Sequence, residues 1–183
     1  MTAISGNWFQ RRAARRKAAK EAYRGLLRQA LEPAFYESGG VPDTFDGRAG
    51  MVTVMTTLAC VRLSLIPGPD AARLVTLIDD LALDGFDAAF REKGVGDHSI
   101  ARKVRKLAQN HAGLGKALFA ALSAAEGGGK ADSVAAILVR NGVVIPEQAG
   151  ALSAQLLVLK AHLERLPDDQ ILSGRLDWPG AAA

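Results

Sequence analysis

Two carboxylates, Asp43 and Asp46, stand three residues apart in the stretch G-V-P-D-T-F-D-G-R at 40–48. Such a pair could share acid–base work, one group giving a proton while the other takes it. Their neighbours Pro42, Thr44 and Gly47 point to turn and helix-capping roles instead. Other chemistries find less support. The single cysteine, Cys60, sits in an apolar run where a thiol acts as a small hydrophobe. The histidines His98, His111 and His162 show none of the spacings that build a metal site, and His111 falls on an apolar helical line, as a hydrogen-bonded core histidine would. The stretch Glu126-Gly127-Gly128-Gly129-Lys130 lacks the first glycine, the Ser/Thr and the preceding strand of a phosphate loop, and reads as a flexible link. No cofactor is expected.

The elements that must position these residues are helical. Aromatics make up only 5% of the 183 residues, and alanine and leucine dominate without β-branched runs. The pattern predicts an all-α fold, an irregular helical bundle of about six helices with two glycine-rich junction loops. Helices are expected over about 10–31, 46–65, 70–93, from 97 or 99 through the line Ile100, Val104, Leu107, His111, Leu114, Leu118 and Leu122, then 131–140 and 146–166. Thr44 or Asp46 caps the second of these. It is apolar on most faces and so belongs in the centre, although Arg62 interrupts it. Its apolar run, Met51 to Ile66, falls short of the ~20 residues that span a bilayer. The third helix reads Leu74, Ile78 and Leu81 along one face, with Phe86 and Phe90 beyond. Its acidic stripe, Asp80, Asp84 and Asp87, would complement the basic start of the fourth helix across the turn Gly94-Val95-Gly96.

Charge is distributed unevenly. Residues 1–31 hold eight basic side chains against Glu21, whereas the whole chain carries a net charge of only +4. This divides the chain into a basic N-terminal helix or arm (1–31), a helical domain (32–166) and an irregular tail (167–183). In the arm, Arg11, Arg12, Arg15, Arg16, Lys17 and Lys20 would attract ribosomal RNA phosphates or an anionic membrane surface, with Trp8 and Phe9 able to enter a membrane interface. The acid-poor arm also looks like a mitochondrial presequence on composition, but no secretory signal follows it. No specific DNA partner is expected.

The stretch at 40–48 resembles the first signature of the ubiquinol–cytochrome c chaperone family, assembly factors of the respiratory bc1 complex. The stretch R-E-K-G-V-G-D-H-S-I-A-R-K-V-R-K-L-A at 91–108 looks like that family's second block. Two blocks in order cover roughly residues 35–125. The resemblance implies a chaperone without catalysis, cytochrome b as client, and a small partner protein beside it. It implies client or partner contacts at Pro42, Asp43, Phe45, Asp46, Arg48, Val95, Asp97, Arg102, Lys103 and Lys106. An apolar groove between helices, shaped at one end by the two junctions, would shelter the client. The composition points to a bacterial, cytoplasmic protein, peripheral on the inner membrane through its arm, with the matrix as the corresponding place in mitochondria. Two other readings remain: a helical module that binds RNA or a membrane surface, and an enzyme using Asp43 and Asp46.

Overall fold

The computed structural model describes residues 4–92, 97–124 and 130–179, and these form an all-α fold. Helix α1 spans Ile4–Ala30, α2 Pro33–Glu37, α3 Phe45–Ser64, α4 Pro69–Glu92, α5 Asp97–Ser123, α6 Lys130–Arg140, α7 Ala149–Arg165 and α8 Asp168–Leu172. The turn Gly94-Val95-Gly96 and the link Gly127–Gly129 lie outside the described residues.

Helix α3 is the axle of the molecule. It packs against α1, α4, α5 and α7, and Met51, Met55, Leu58, Ala59 and Leu63 are almost wholly buried. That is the consequence of a sequence apolar on nearly every face. Around it, single apolar stripes turn inward. On α4 the buried line is Leu74, Ile78, Ala82, Phe86 and Phe90, so Ala82 takes the place expected of Leu81, which is half-buried. On α5 it is Leu107, His111, Leu114, Leu118 and Leu122, and on α7 Leu152, Leu156, Leu159 and Leu163. A repeat of three and four residues places each set on one helical face.

Two buried polar groups fasten the helices around α3. Arg62 donates through Nε to the Leu163 carbonyl (2.9 Å) and through Nη2 to the Leu166 carbonyl (2.7 Å) and to Asp168 (2.5 Å). The charge that interrupts the apolar run thus closes the C-terminal end of α7, where a cation also meets the negative end of the helix dipole. His111 bonds Thr53 Oγ1 through Nδ1 (2.8 Å) and Asp79 through Nε2 (2.9 Å), joining α5 to α3 and α4. The hydrogen-bonded core histidine read from the sequence is present.

The segment 1–31, expected as an arm, is divided in two. Its first half, from Trp8 to Lys17, is largely exposed, whereas Ala18, Ala19, Ala22, Leu26 and Ala30 are core residues. Gly85 lets α1 and α4 approach, because a Cβ there would run into the Tyr23 hydroxyl. The tail, expected to be irregular, contains α8 and then buries Leu176 and half-buries Trp178, whose indole lies against Gly25 of α1. Gly174 makes this return possible: its φ is +86°, and a Cβ would strike the Ala18 carbonyl.

Candidate functional site

The first junction is a compact loop built on backbone chemistry. Pro33 opens the short α2, and Gly40, at φ +74°, then turns the chain. The Gly40 carbonyl accepts from Ile145 N at 3.0 Å, tying this loop to the one that precedes α7. Thr44 caps α3, its hydroxyl accepting from Gly47 N at 3.1 Å. Of the two residues considered for that role, Thr44 fills it, and Asp46 lies in the first turn where a carboxylate suits the helix dipole. Gly47 is required because a Cβ would collide with the Pro42 carbonyl oxygen.

Asp43 pairs with Arg48 at 2.7 Å, and the Arg48 guanidinium lies over the Tyr36 ring, 5.2 Å from its centroid. The hydrogen bond from Arg48 holds the Asp43 carboxyl below its usual range, and Asp43 in turn raises the guanidinium. A carboxylate fixed in this way stays ionised and accepts bonds, which suits a loop staple better than a group that trades protons. Tyr36, whose hydroxyl donates to the Ala30 carbonyl at 2.6 Å, is pushed up to about 12 by burial. Pro42, Asp43 and Arg48 therefore shape the loop.

Phe45 and Asp46 face elsewhere. Phe45 packs on Phe90 of α4, ring centroids 4.4 Å apart. Together with Lys103, Lys106, Leu107 and Asn110 of α5 they line a cleft of about 390 Å³. Four residues singled out in the sequence, Phe45, Asp46, Lys103 and Lys106, thus meet at one place although nearly 60 residues separate the two pairs. Its floor is aromatic and its rim carries two cations and a carboxylate. Such a cleft accepts one or two apolar side chains while the lysines reach acceptor oxygens beside them. Arg102 is exposed outside this lining. Val95 lies outside the described residues, as does the side chain of Asp97, the first residue of α5. Phe90, Leu107 and Asn110 were not singled out. The first two belong to core stripes, and nothing in their spacing reveals that the stripe surfaces at this point.

The acidic stripe of α4 does not serve α5 as expected. Asp87 pairs with Arg91 of its own helix (2.8 Å) and Asp80 lines a cleft shared with α1, while the α4 carboxylate that does reach α5 is Asp79, outside the stripe, which bonds His111. The arm's cations accordingly meet α4: Arg15 is bonded to Asp70 at 2.6 Å. Arg11, Arg15 and Lys17 also line a cleft against α8 and the tail, and Lys20 is exposed.

The apolar groove expected between helices is not what these clefts provide, since charged side chains line each of them. A membrane-spanning helix of 20 residues is about 30 Å long, whereas the cleft beneath the first junction holds about 390 Å³. Among the described residues, the exposed large apolar side chains are the touching pair Trp8 and Phe9 on α1 and single residues elsewhere: Leu31, Leu65, Phe119, Ile145 and Val158. Cys60 lies within the packed helix, and burial, aided by Asp79, raises its thiol to about 12, which makes it a poor nucleophile. Among the described residues no group of His, Cys, Asp and Glu could hold a metal ion, and no helix is long and apolar enough to cross a membrane.

The sequence pattern of the family described as ubiquinol–cytochrome C chaperone matches residues 37–178. It therefore takes in the last helices and most of the tail as well as both junction blocks. Among solved structures, the chain is similar to the crystal structure of the Cbp3 homolog from Brucella abortus, with 26% identity, a TM-score of 0.79 and 96% of each chain covered. No curated protein sequence matches it.

Proposed function

The chain belongs to the ubiquinol–cytochrome c chaperone family, so its work lies in assembly of the respiratory bc1 complex, and we propose that it does this work by binding newly made cytochrome b without catalysis. The observation that carries the reading is the convergence of Phe45 and Asp46 with Lys103 and Lys106 around one aromatic-floored cleft. The two blocks that carry the family likeness are far apart in sequence, and the fold spends both on the same surface.

The size of the cleft refines what the client offers. It takes a short feature, one or two apolar side chains next to carbonyl or carboxylate oxygens, and does not enclose a whole membrane helix. Phe45 and Phe90 supply apolar area, and the lysines add polar bonds with freedom to adapt. Pro42, Asp43 and Arg48 keep the loop in shape, Arg102 extends the basic surface, and a small partner protein would take Val95 and Asp97 of the second block as its contacts. The exposed cations Arg11, Arg12, Arg16, Lys17 and Lys20, with Arg15 held at Asp70, would tether the protein to an anionic surface, ribosome or membrane. On this reading the protein works in the cytoplasm, peripheral on the inner membrane, or in the matrix for a mitochondrial relative.

The test is co-purification from detergent extracts of cells that make the bc1 complex. Wild-type protein should carry cytochrome b. The K103E/K106E variant should lose it with an unchanged circular dichroism spectrum, since both side chains are exposed. Undiminished recovery of cytochrome b with K103E/K106E would remove the cleft from the account.

A further inference from the structure

Resting on the tether reading above, we propose that the cleft between α1 and α4 is a phosphate seat through which the protein docks on an anionic lipid surface. The cleft holds about 350 Å³ and is lined by Arg12, Arg15, Arg16 and Arg73, with Trp8, Thr76, Leu77 and Asp80. Arg73 and Thr76 come from α4, so the seat is made by the fold and is not a property of the basic arm alone.

The four arginines have different tasks. Arg15 is tied to Asp70 and forms a fixed wall, while its buried Nε has no acceptor among the described residues. Among the described residues no ion pair engages Arg12, Arg16 or Arg73. Asp80 is the single carboxylate of the lining, so the seat stays positive with Asp70 counted. Guanidinium forks match phosphate oxygens two at a time, whereas the Thr76 hydroxyl donates to the Ala72 carbonyl at 3.3 Å and only lines the wall.

The aromatics decide between a lipid headgroup and an RNA backbone. Trp8 and Phe9 are 54% and 63% exposed. They meet edge to face at 79°, and Arg12 lies over the Trp8 ring, 5.6 Å from its centroid. Nucleobases need open ring faces on which to stack, and one face of Trp8 is already occupied. Exposed aromatics next to arginines fit the boundary between headgroups and acyl chains, where ring and guanidinium each find their own solvent.

Full-length protein sedimented with vesicles of phosphatidylglycerol in phosphatidylcholine should bind, and with phosphatidylcholine alone should not. The R12Q/R73Q variant should bind the anionic vesicles about thirtyfold more weakly, because two guanidiniums that fork onto the seated phosphate are lost together with their charges. K17Q/K20Q removes the same charge outside the cleft and should weaken binding no more than about threefold. Both pairs of side chains are exposed, so the variants fold. Equal weakening by the two variants would overturn the seat and leave a diffuse electrostatic tether. Wild-type protein that ignores anionic vesicles but is retained by ribosomal RNA would overturn the lipid assignment while keeping the tether; binding to neither would end both.

Discussion

Arginine does opposite work at the two ends of this molecule. Arg62, in the last turn of the buried α3, has its guanidinium held by the Leu163 and Leu166 carbonyls and Asp168. Arg12, Arg16 and Arg73 stand around an open cleft with no ion pair to hold them among the described residues. In the interior, a charge is tolerable when it is paired and hydrogen-bonded, and so it becomes a structural clamp. At the surface an unengaged guanidinium costs nothing in folding and keeps its capacity for an external anion. The difference teaches where to look for function: at polar groups the fold leaves unspent.

The comparison can be broken at its buried end first. Replacing Arg62 by Met should destabilise the protein by about 2–4 kcal/mol, because two carbonyls at the end of α7 lose a charged donor and are poorly placed to find another. Denaturant unfolding measures this. A loss below about 1 kcal/mol would mean that water or a shifted helix end replaces the clamp.

A smaller effect belongs to the half-buried Asp79. The hydrogen bond with His111 holds its carboxyl below the usual value. A depressed carboxyl contributes stability above its unfolded pKa of about 3.9 and loses it as pH falls through the lower, folded value. The Asp79 side chain is 49% exposed, and a pair so screened is worth about 0.5–1 kcal/mol. Wild type should therefore exceed Asp79→Asn by that amount above about pH 5, with the two converging in stronger acid. Unfolding curves whose separation is independent of pH would deny the pair its electrostatic role.

The smallest effect sharpens the outer end. Removing residues 1–13 should leave the melting temperature nearly unchanged while weakening attachment to anionic surfaces, most visibly at low salt. Extending the cut through residue 20 should cost stability, because Ala18 and Ala19 are buried and the tail folds back on Ala18 at Gly174. If both truncations melt alike, the boundary between the arm and the core is elsewhere.

Much of this was legible in the sequence because amphipathic periodicity is a local signal. The stripes of α5 and α7 and the all-apolar α3 follow from spacing alone. That Thr44 or Asp46 would cap α3 follows from residue types, and the structure selects Thr44. What was not legible are pairings across long separations. Arg62 is visible as a lone charge, but its acceptors lie about a hundred residues later. The acids of α4 look ready for the cations of α5, yet Asp70 and Asp80 are turned to α1, a neighbour that only packing reveals. The tail carries Leu176 and Trp178 among Gly, Pro and Asp without any helical period, so its return over α1 leaves no trace in the pattern. The candidate cleft was half visible: its rim came from the two junction blocks, and its floor, Phe90, was hidden in a stripe that reads as ordinary core.

The proposed role depends on where the client touches. A photo-activated cross-linking residue placed at Asn110, in the cleft beneath Phe45, should capture cytochrome b in cells assembling the complex, whereas the same residue at the exposed Val158 on α7 should not. Capture of cytochrome b from position 158 and none from position 110 would contradict it.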